Sequence, residues 1–382
     1  MKVVFASNFM THHQLPFSDA MAANPEIEYY FIATATVPEA RKNLGYRDMN
    51  SSRDYIISTY ASEEKRAQAI QLCDSADVVI CGSAPEYLIK NRLKSQKLTF
   101  RYSERIYKKK RPFYEMPLRA VKYYWKHSRH KNLYLLCASA FTAADYAKTA
   151  TFLEKTYKWG YFPETIKYDD IDSLINNKAP NSLLWVGRFI DWKHPECAIE
   201  VAKRLRDDGY TFNLDIIGDG EMRPILESMI KEHNLADCVR LCGSMSPEEV
   251  RKHMEKAQIF LFTSDRQEGW GAVLNESMNS ACAVVASSAI GSVPFLLSDG
   301  ANGFIYKDGN IDDLYDKVKR LLEDKSLRIS TGLGAYKTLI GEWNAETSAY
   351  RLIELSKTLL GGENKPMLFE TGPCSKAEII KG

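Results

Sequence analysis

Two carboxylates stand eight residues apart in Glu268-Gly269-Trp270-Gly271-Ala272-Val273-Leu274-Asn275-Glu276. The apolar run 258–263 before them reads as a buried strand, and 274–281 after the first reads as a helix. Glu268 then falls in a strand-to-helix loop and Glu276 about one turn inside the helix. Gly269 and Gly271 let the backbone between them come close to a ligand, and the N–H groups of Trp270 to Ala272, at a helix N-terminus, suit an anion. Acceptors for hydroxyls beside an anion hole fit a sugar nucleotide, which carries both. The plainer alternative is a surface loop entering a helix, with Glu276 solvated or capping.

A second motif runs Leu183-Leu184-Trp185-Val186-Gly187-Arg188-Phe189-Ile190-Asp191-Trp192-Lys193-His194-Pro195. An apolar strand ends at Gly187, Arg188 and Lys193 follow, and a helix is expected over 196–206. Two cations at the carboxyl end of a strand are placed to hold a diphosphate, Arg as a fork and Lys as a point charge. Either alone reads as an ordinary surface charge. Their meaning comes from the acid-glycine loop later in the same α/β pattern.

With Ile217-Gly218-Asp219-Gly220-Glu221 and Val239-Arg240-Leu241-Cys242-Gly243 between them, these motifs follow one order over about residues 180–345. That stretch resembles glycosyltransferase family 4, retaining enzymes of the GT-B fold; over the first 165 residues the resemblance is much weaker. It implies an α/β chain of two doubly wound, Rossmann-like domains facing a central cleft. It also implies roles. Arg188 and Lys193 would neutralise the diphosphate and the charge growing on the leaving phosphate. Glu268 would accept hydrogen bonds from the donor sugar and Glu276 from the ribose. Gly187, Gly269, Trp270, Gly271 and Ala272 would line the donor, while Arg240 and Leu241 would meet the nucleobase through their main chain. A hexose-type sugar on UDP, retention of configuration with reaction on one face, and no metal or other cofactor follow from family habit.

Asp170-Ile171-Asp172 spells the Asp-x-Asp of metal-using glycosyltransferases of another fold. There it ends a buried strand, whereas here the preceding residues are polar, so the match reads as coincidence. No zinc-ligand spacing of His and Cys occurs. Gly218-Asp219-Gly220 lacks the third glycine of a dinucleotide fingerprint and reads as a tight turn.

The elements that must carry these residues follow from the alternation of apolar runs. Strands are expected at 2–6, 28–33, 78–81, 98–102 and 133–137, with helices near 15–23 and 63–74, which implies a parallel sheet covered on both faces. Around 161–180 the pattern loosens into acids, Asn and Pro. Strands then recur near 183–186, 213–217, 239–242, 259–262 and 283–287, each followed by a helix. The final helices are expected at 311–323 and about 344–360. We therefore expect an acceptor-binding domain over 1–165, a nucleotide-sugar domain over 166–345, and a helix and tail over 346–382 that returns to the first.

The loop after the first strand, Ser7-Asn8-Phe9-Met10-Thr11-His12-His13-Gln14, has polar groups where many family members place glycines. His12 and His13 are candidates to contact phosphate, sugar or acceptor, or to act as a base; the competing reading is an exposed or capping pair. Glu104, in Arg101-Tyr102-Ser103-Glu104-Arg105, either orients an acceptor hydroxyl or pairs with Arg101 or Arg105.

At 382 residues and net charge +2 the chain suits two domains and has no global attraction to nucleic acid. Eight scattered cysteines suggest reduced thiols in a cytoplasmic protein. The N-terminus does not read as a signal peptide, and no apolar run reaches the ~18 residues of a membrane span. Residues 101–131, however, hold eleven Lys/Arg against Glu104 and Glu115, interleaved with seven aromatics. Such a segment suits an anionic membrane surface or a merely solvated face. Together with Trp159-Gly160-Tyr161-Phe162-Pro163 and the 9–17 loop, which are similar to capsule-type transferases, it suggests a saccharide or lipid-linked acceptor at the inner face of a membrane. Two rivals remain: a nucleotide-sugar epimerase, hydrolase or phosphorylase on the same fold, and a nucleic-acid-binding module built on 101–131.

Overall fold

The computed structural model describes residues 1–39, 47–109, 113–363 and 366–380. The chain divides into two compact units, Met1–Glu164 with Glu342–Gly382, and Thr165–Gly341.

In the first unit seven strands are β1 (Lys2–Ser7), β2 (Glu28–Ala33), β3 (Ile56–Ser58), β4 (Val78–Cys81), β5 (Thr99–Ser103), β6 (Leu133–Cys137) and β7 (Thr156–Lys158). They lie in the order β3-β2-β1-β4-β5-β6-β7, every pair parallel. Strands such as Val78–Cys81 and Leu133–Cys137 are buried at every position, as a sheet covered on both faces requires. Helix Ala345–Leu360 packs on helix Leu15–Ala22 in this unit. The tail then bonds to β7, with Lys158 N–H donating to Ser375 O at 2.8 Å and Ala377 N–H to Thr156 O at 3.0 Å.

The second unit holds β8 (Ser182–Val186), β9 (Asn213–Ile217), β10 (Val239–Gly243), β11 (Ile259–Phe262), β12 (Ala283–Ser287) and β13 (Phe304–Tyr306). Their order is β10-β9-β8-β11-β12-β13, again all parallel. Its core runs from Leu183, Trp185 and Ile216 to Leu261, Val285 and Leu321.

In both sheets the strand order reverses beside the first strand, between β1 and β4 and between β8 and β11. Doubly wound sheets bind ligands in the crevice such a reversal leaves at the carboxyl ends. Register sharpens this for the second unit: Leu183 pairs with Ile259 and Trp185 with Leu261, so the loops after β8 and β11 leave the sheet at one level.

Most expected strands occur where the apolar runs placed them, and 259–262 and 283–287 match to the residue. Three strands of three residues, β3, β7 and β13, were too short to show a period. A helix over Lys325–Gly341 lies between the two expected at 311–323 and 344–360, where no helix is expected from the sequence. All eight cysteines are free thiols and six are buried. No helix among the described residues is long and apolar enough to cross a membrane.

Candidate active site

The loop after β8 is held by main-chain bonds. Gly187 N–H donates to Ile217 O at 3.0 Å, Phe189 N–H to Asp219 O at 2.9 Å, and Met222 N–H to Phe189 O at 3.0 Å. Phe189 is fully buried, which fixes the segment and leaves its neighbour Arg188 exposed. A single 3-10 turn, Asp191–Lys193, follows, and His194 adopts left-handed geometry (φ 49°) before helix Glu196–Asp207.

That turn is stapled to the loop after β11. Thr263 accepts from Trp185 Nε1 at 2.8 Å, and its hydroxyl lies 2.8 Å from both Lys193 O and His194 O. Asp265 N–H donates to Trp192 O at 3.0 Å. Lys193 and Glu268 are thereby brought into contact. The Lys193 ammonium donates to Glu268 Oε2, the same oxygen to which Ser264 Oγ donates at 3.1 Å. The ammonium also lies 4.8 Å from the Trp192 ring centre, and the Arg188 guanidinium lies 5.8 Å from the same ring. Both cations therefore flank Trp192, one ion-paired and one without a carboxylate partner among the described residues.

The sequence reading gave Lys193 to phosphate and Glu268 to hydroxyls as separate contacts; the structure makes them one ion pair. The two roles stay compatible. An ammonium has three donors and a carboxylate about four acceptor positions, so each keeps capacity for a ligand. Ser264, Thr263 and Trp192 are the residues the sequence reading missed. Their signal was faint: polar residues directly after an apolar run, and an aromatic beside a cation.

At Gly271 φ is +83°, and a Cβ there would lie 2.3 Å from Phe262 Cζ. The ring of β11 by itself therefore requires glycine at this position, while the main chain of the loop keeps its N–H groups. Trp270 is fully buried, with Nε1 donating to Asn275 Oδ1 at 2.9 Å, so its indole is structural. Gly269 is buried in the same loop. Helix Val273–Asn279 opens after Ala272, which leaves the first N–H groups without helical acceptors.

Glu276 lies in that helix, and burial pushes its carboxyl up to about 7, against the opposing charge of Arg251. The far end of the helix is held by Lys178. Its buried ammonium lies 2.8 Å from Ser280 O, 2.8 Å from Ala257 O, 3.0 Å from Met254 O and 3.1 Å from Glu255 O. One cation thus caps the C-termini of helices Pro247–Lys256 and Val273–Asn279, where the helix dipole favours positive charge. Arg240 is exposed and bonds Asp215 at 2.8 and 2.9 Å, while Leu241 packs against the core on the edge strand β10. Asp170 caps helix Ile171–Asn176 by accepting from Ser173 N–H at 2.8 Å.

In the first unit the loop after β1 gathers a second cluster. His12 and His13 have ring centres 3.7 Å apart, and His13 stacks parallel to Tyr161 at 5.7 Å. The Tyr161 hydroxyl donates to Glu104, which also accepts from Lys108 at 2.7 Å. One alternative is closed. The N-cap of helix Leu15–Ala22 is Gln14, so neither histidine caps it. Among the described ion pairs Glu104 joins Lys108, while Arg101 is held by Glu86 at 2.5 Å and Arg105 lies 3.6 Å from Asp145. Trp159 and Phe162 pack edge-on and tilted against Phe17, at 5.2 and 6.1 Å, which brings 159–163 to this loop.

Residues 167–338 match the family described as Glycosyl transferases group 1. That segment, a little under half of the chain, is thus similar to group 1 glycosyltransferases. The chain is similar to the amylovoran biosynthesis glycosyltransferase AmsK of Erwinia amylovora, 29% identical over 207 residues, or 53% of this chain and 50% of the relative. A Campylobacter jejuni N-acetylgalactosamine-N,N'-diacetylbacillosaminyl-diphospho-undecaprenol 4-alpha-N-acetylgalactosaminyltransferase is 33% identical over 146 residues, 38% of each chain. The alignments thus span half or less of the length of these curated relatives. Among solved structures, Anabaena HepE in complex with UDP superposes with TM-score 0.69 at 14% identity, over 94% of this chain and 100% of HepE. The fold is accordingly GT-B.

Proposed function

We propose that the protein transfers a hexose-type sugar, with retention and without a metal, from a UDP-linked donor to a saccharide or lipid-linked acceptor during surface-polysaccharide assembly at the cytoplasmic face of the membrane. The reading rests on one arrangement, the Lys193–Glu268 ion pair and the exposed Arg188 around Trp192 where the second sheet reverses order. That crevice offers phosphate donors and hydroxyl acceptors on adjacent atoms.

In this reading the second unit is the donor unit. Arg188 and Lys193 hold the diphosphate and stabilise the charge that develops as the bond from the anomeric carbon to phosphate oxygen breaks. Glu268 orients sugar hydroxyls, Glu276 accepts from the ribose, and main-chain N–H groups of residues 270–272 hold the phosphate. The main chains of Arg240 and Leu241 meet the base. The acceptor hydroxyl forms the new bond on the face the phosphate leaves, and its proton passes to the departing phosphate. The first unit, with His12, His13 and Glu104, is assigned to the acceptor.

UDP is supported by its presence in the HepE complex, and a lipid-linked acceptor by the undecaprenol named for the Campylobacter relative. A thermal-shift panel tests the donor: UDP-sugars should stabilise the protein more than GDP- or ADP-sugars, and the shift should survive EDTA. Equal shifts for the three bases would end the uridine assignment, and loss in EDTA would end the metal-free one.

A further inference from the structure

The eleven cations of 101–131 do not form one free basic surface. Arg101 and Lys126 share Glu86 at 2.5 and 2.9 Å, Arg105 faces Asp145, Lys108 faces Glu104, and Arg119 lies 3.9 Å from Glu115. Lys110 and Arg111 lie outside the described residues. Of the other described cations, Lys122 lies on one helix and Arg129 caps its C-terminal end, while Lys109 and Lys131 lie outside it. Met116–Tyr123 continues as a π turn over Tyr124–Ser128. One side is anchored: Tyr123 packs on His127 and Tyr146, and Arg119 sits over Tyr107 and Tyr123 at 5.1 and 5.7 Å.

The opposite side is apolar and open. Tyr114, Leu118, Val121 and Trp125 are 69%, 79%, 60% and 58% exposed. Leu118 and Val121, three residues apart, lie roughly 60° apart on the α-helix, with Tyr114 in the 3-10 turn before it and Trp125 in the π turn after it. Monomeric soluble proteins seldom leave such a stripe uncovered. Lys122 lies along one border, and Arg129 folds over the Trp125 ring at 5.2 Å. Neither has a carboxylate partner among the described residues.

We propose that this face is a docking surface for an anionic phospholipid bilayer. Leu118 and Val121 enter the acyl boundary, Tyr114 and Trp125 sit at headgroup level, and Lys122 and Arg129 meet lipid phosphates. Charge complementarity selects this occupant. A second copy of the same face would bring Lys122 and Arg129 against their own counterparts, whereas an anionic surface pairs them. The inference deepens the proposed function by naming where a lipid-linked acceptor would be met, and rests on that reading only there.

Co-sedimentation of the full chain with phosphatidylcholine vesicles, with and without phosphatidylglycerol, tests it without donor or acceptor, so its failure leaves the transfer reading intact. Binding should require phosphatidylglycerol and weaken with salt. Leu118→Glu/Val121→Glu should lower it tenfold or more, and Lys122→Ala/Arg129→Ala by about twenty-five-fold, at roughly fivefold per cation. Melting should be unchanged in Leu118→Glu/Val121→Glu, whose side chains are exposed, and at most slightly lowered in Lys122→Ala/Arg129→Ala, where Arg129 loses its contacts with Trp125 and His130. Three results would overturn the proposal: no binding to either vesicle, binding undiminished in both variants, or a dimer in solution that Leu118→Glu/Val121→Glu dissolves.

Discussion

At the carboxyl edge of β8 and β11 an ammonium touches a carboxylate and a guanidinium waits beside them. At the corresponding edge of the first sheet, past β1 and β5, two imidazoles, a phenol and a carboxylate that also pairs with Lys108 hold each other by ring contacts and a hydroxyl bond. Both sheets reverse order beside their first strand. Shared topology therefore fixes where each crevice lies, and the loops decide what it can hold. The crevice of the second unit gathers two cations and a carboxylate around one indole, whereas that of the first gathers aromatic rings beside a single ion pair.

Breaking the ion pair should give the largest effect. Lys193→Ala should lower kcat about 10²- to 10³-fold in a radiolabelled transfer assay, as loss of one preorganised donor does. It should also destabilise the protein by about 1–3 kcal/mol in urea titration, because buried Glu268 keeps only Ser264. Arg188→Ala should lower transfer comparably with no change in stability, since Arg188 is exposed. Equal destabilisation by both would contradict the distinction between a paired and an unpaired cation.

Gly271→Ala should cost about 2–4 kcal/mol by the same titration, from left-handed strain and collision with Phe262. Pairing it with Phe262→Leu should recover part of that loss. No recovery would mean that the ring is not what requires the glycine.

Glu276 gives a pH test. Its carboxyl titrates near 7 because burial disfavours the charged form. Ribose hydroxyls donate to a carboxylate, so binding removes the proton and the bound pKa falls below 7. UDP-sugar affinity should then be flat above about pH 7.5 and fall up to tenfold per unit below about pH 6.5. The diester phosphates of the donor do not titrate there. Calorimetry should show proton release near pH 6.5, absent in Glu276→Gln; a flat profile for the native protein would remove Glu276 from the donor site.

The smallest effect is expected in the first unit. Tyr161→Phe keeps the stack on His13 but removes the bond to Glu104. Acceptor kcat/KM should fall about three- to tenfold with donor affinity unchanged. A change in donor affinity instead would erase the contrast between the two clusters.

The ionic crevice was legible because its parts lie within a few residues of strand ends. Arg188 and Lys193 follow β8, and Glu268 follows β11, so apolar runs announce them. The aromatic cluster was only half legible. His12, Glu104 and Tyr161 come from three distant segments, and no spacing joins them. The basic segment misled in a different way, because counting charges could not show that Glu86, which lies outside it, binds both Arg101 and Lys126.

Continuous apolar runs such as Ile259–Phe262 can be satisfied only inside a sheet covered on both faces, so the sequence alone determined the alternation, the fold class and the positions of the strand-end charges. The packed chain decided the rest. Lys325–Gly341 carries Gly332 and Gly334, which argue against a helix locally. It forms because Gly332 lies against Ala281 O, where a Cβ would approach to 2.5 Å. Lys178 shows no purpose until two helix ends converge on its ammonium. Lys193 meets Glu268 across 75 residues because the register of β8 on β11 sets both loops at one height. Local pattern encodes burial, which depends on each residue's own chemistry; pairing depends on register and packing, which exist only once the sheet has formed.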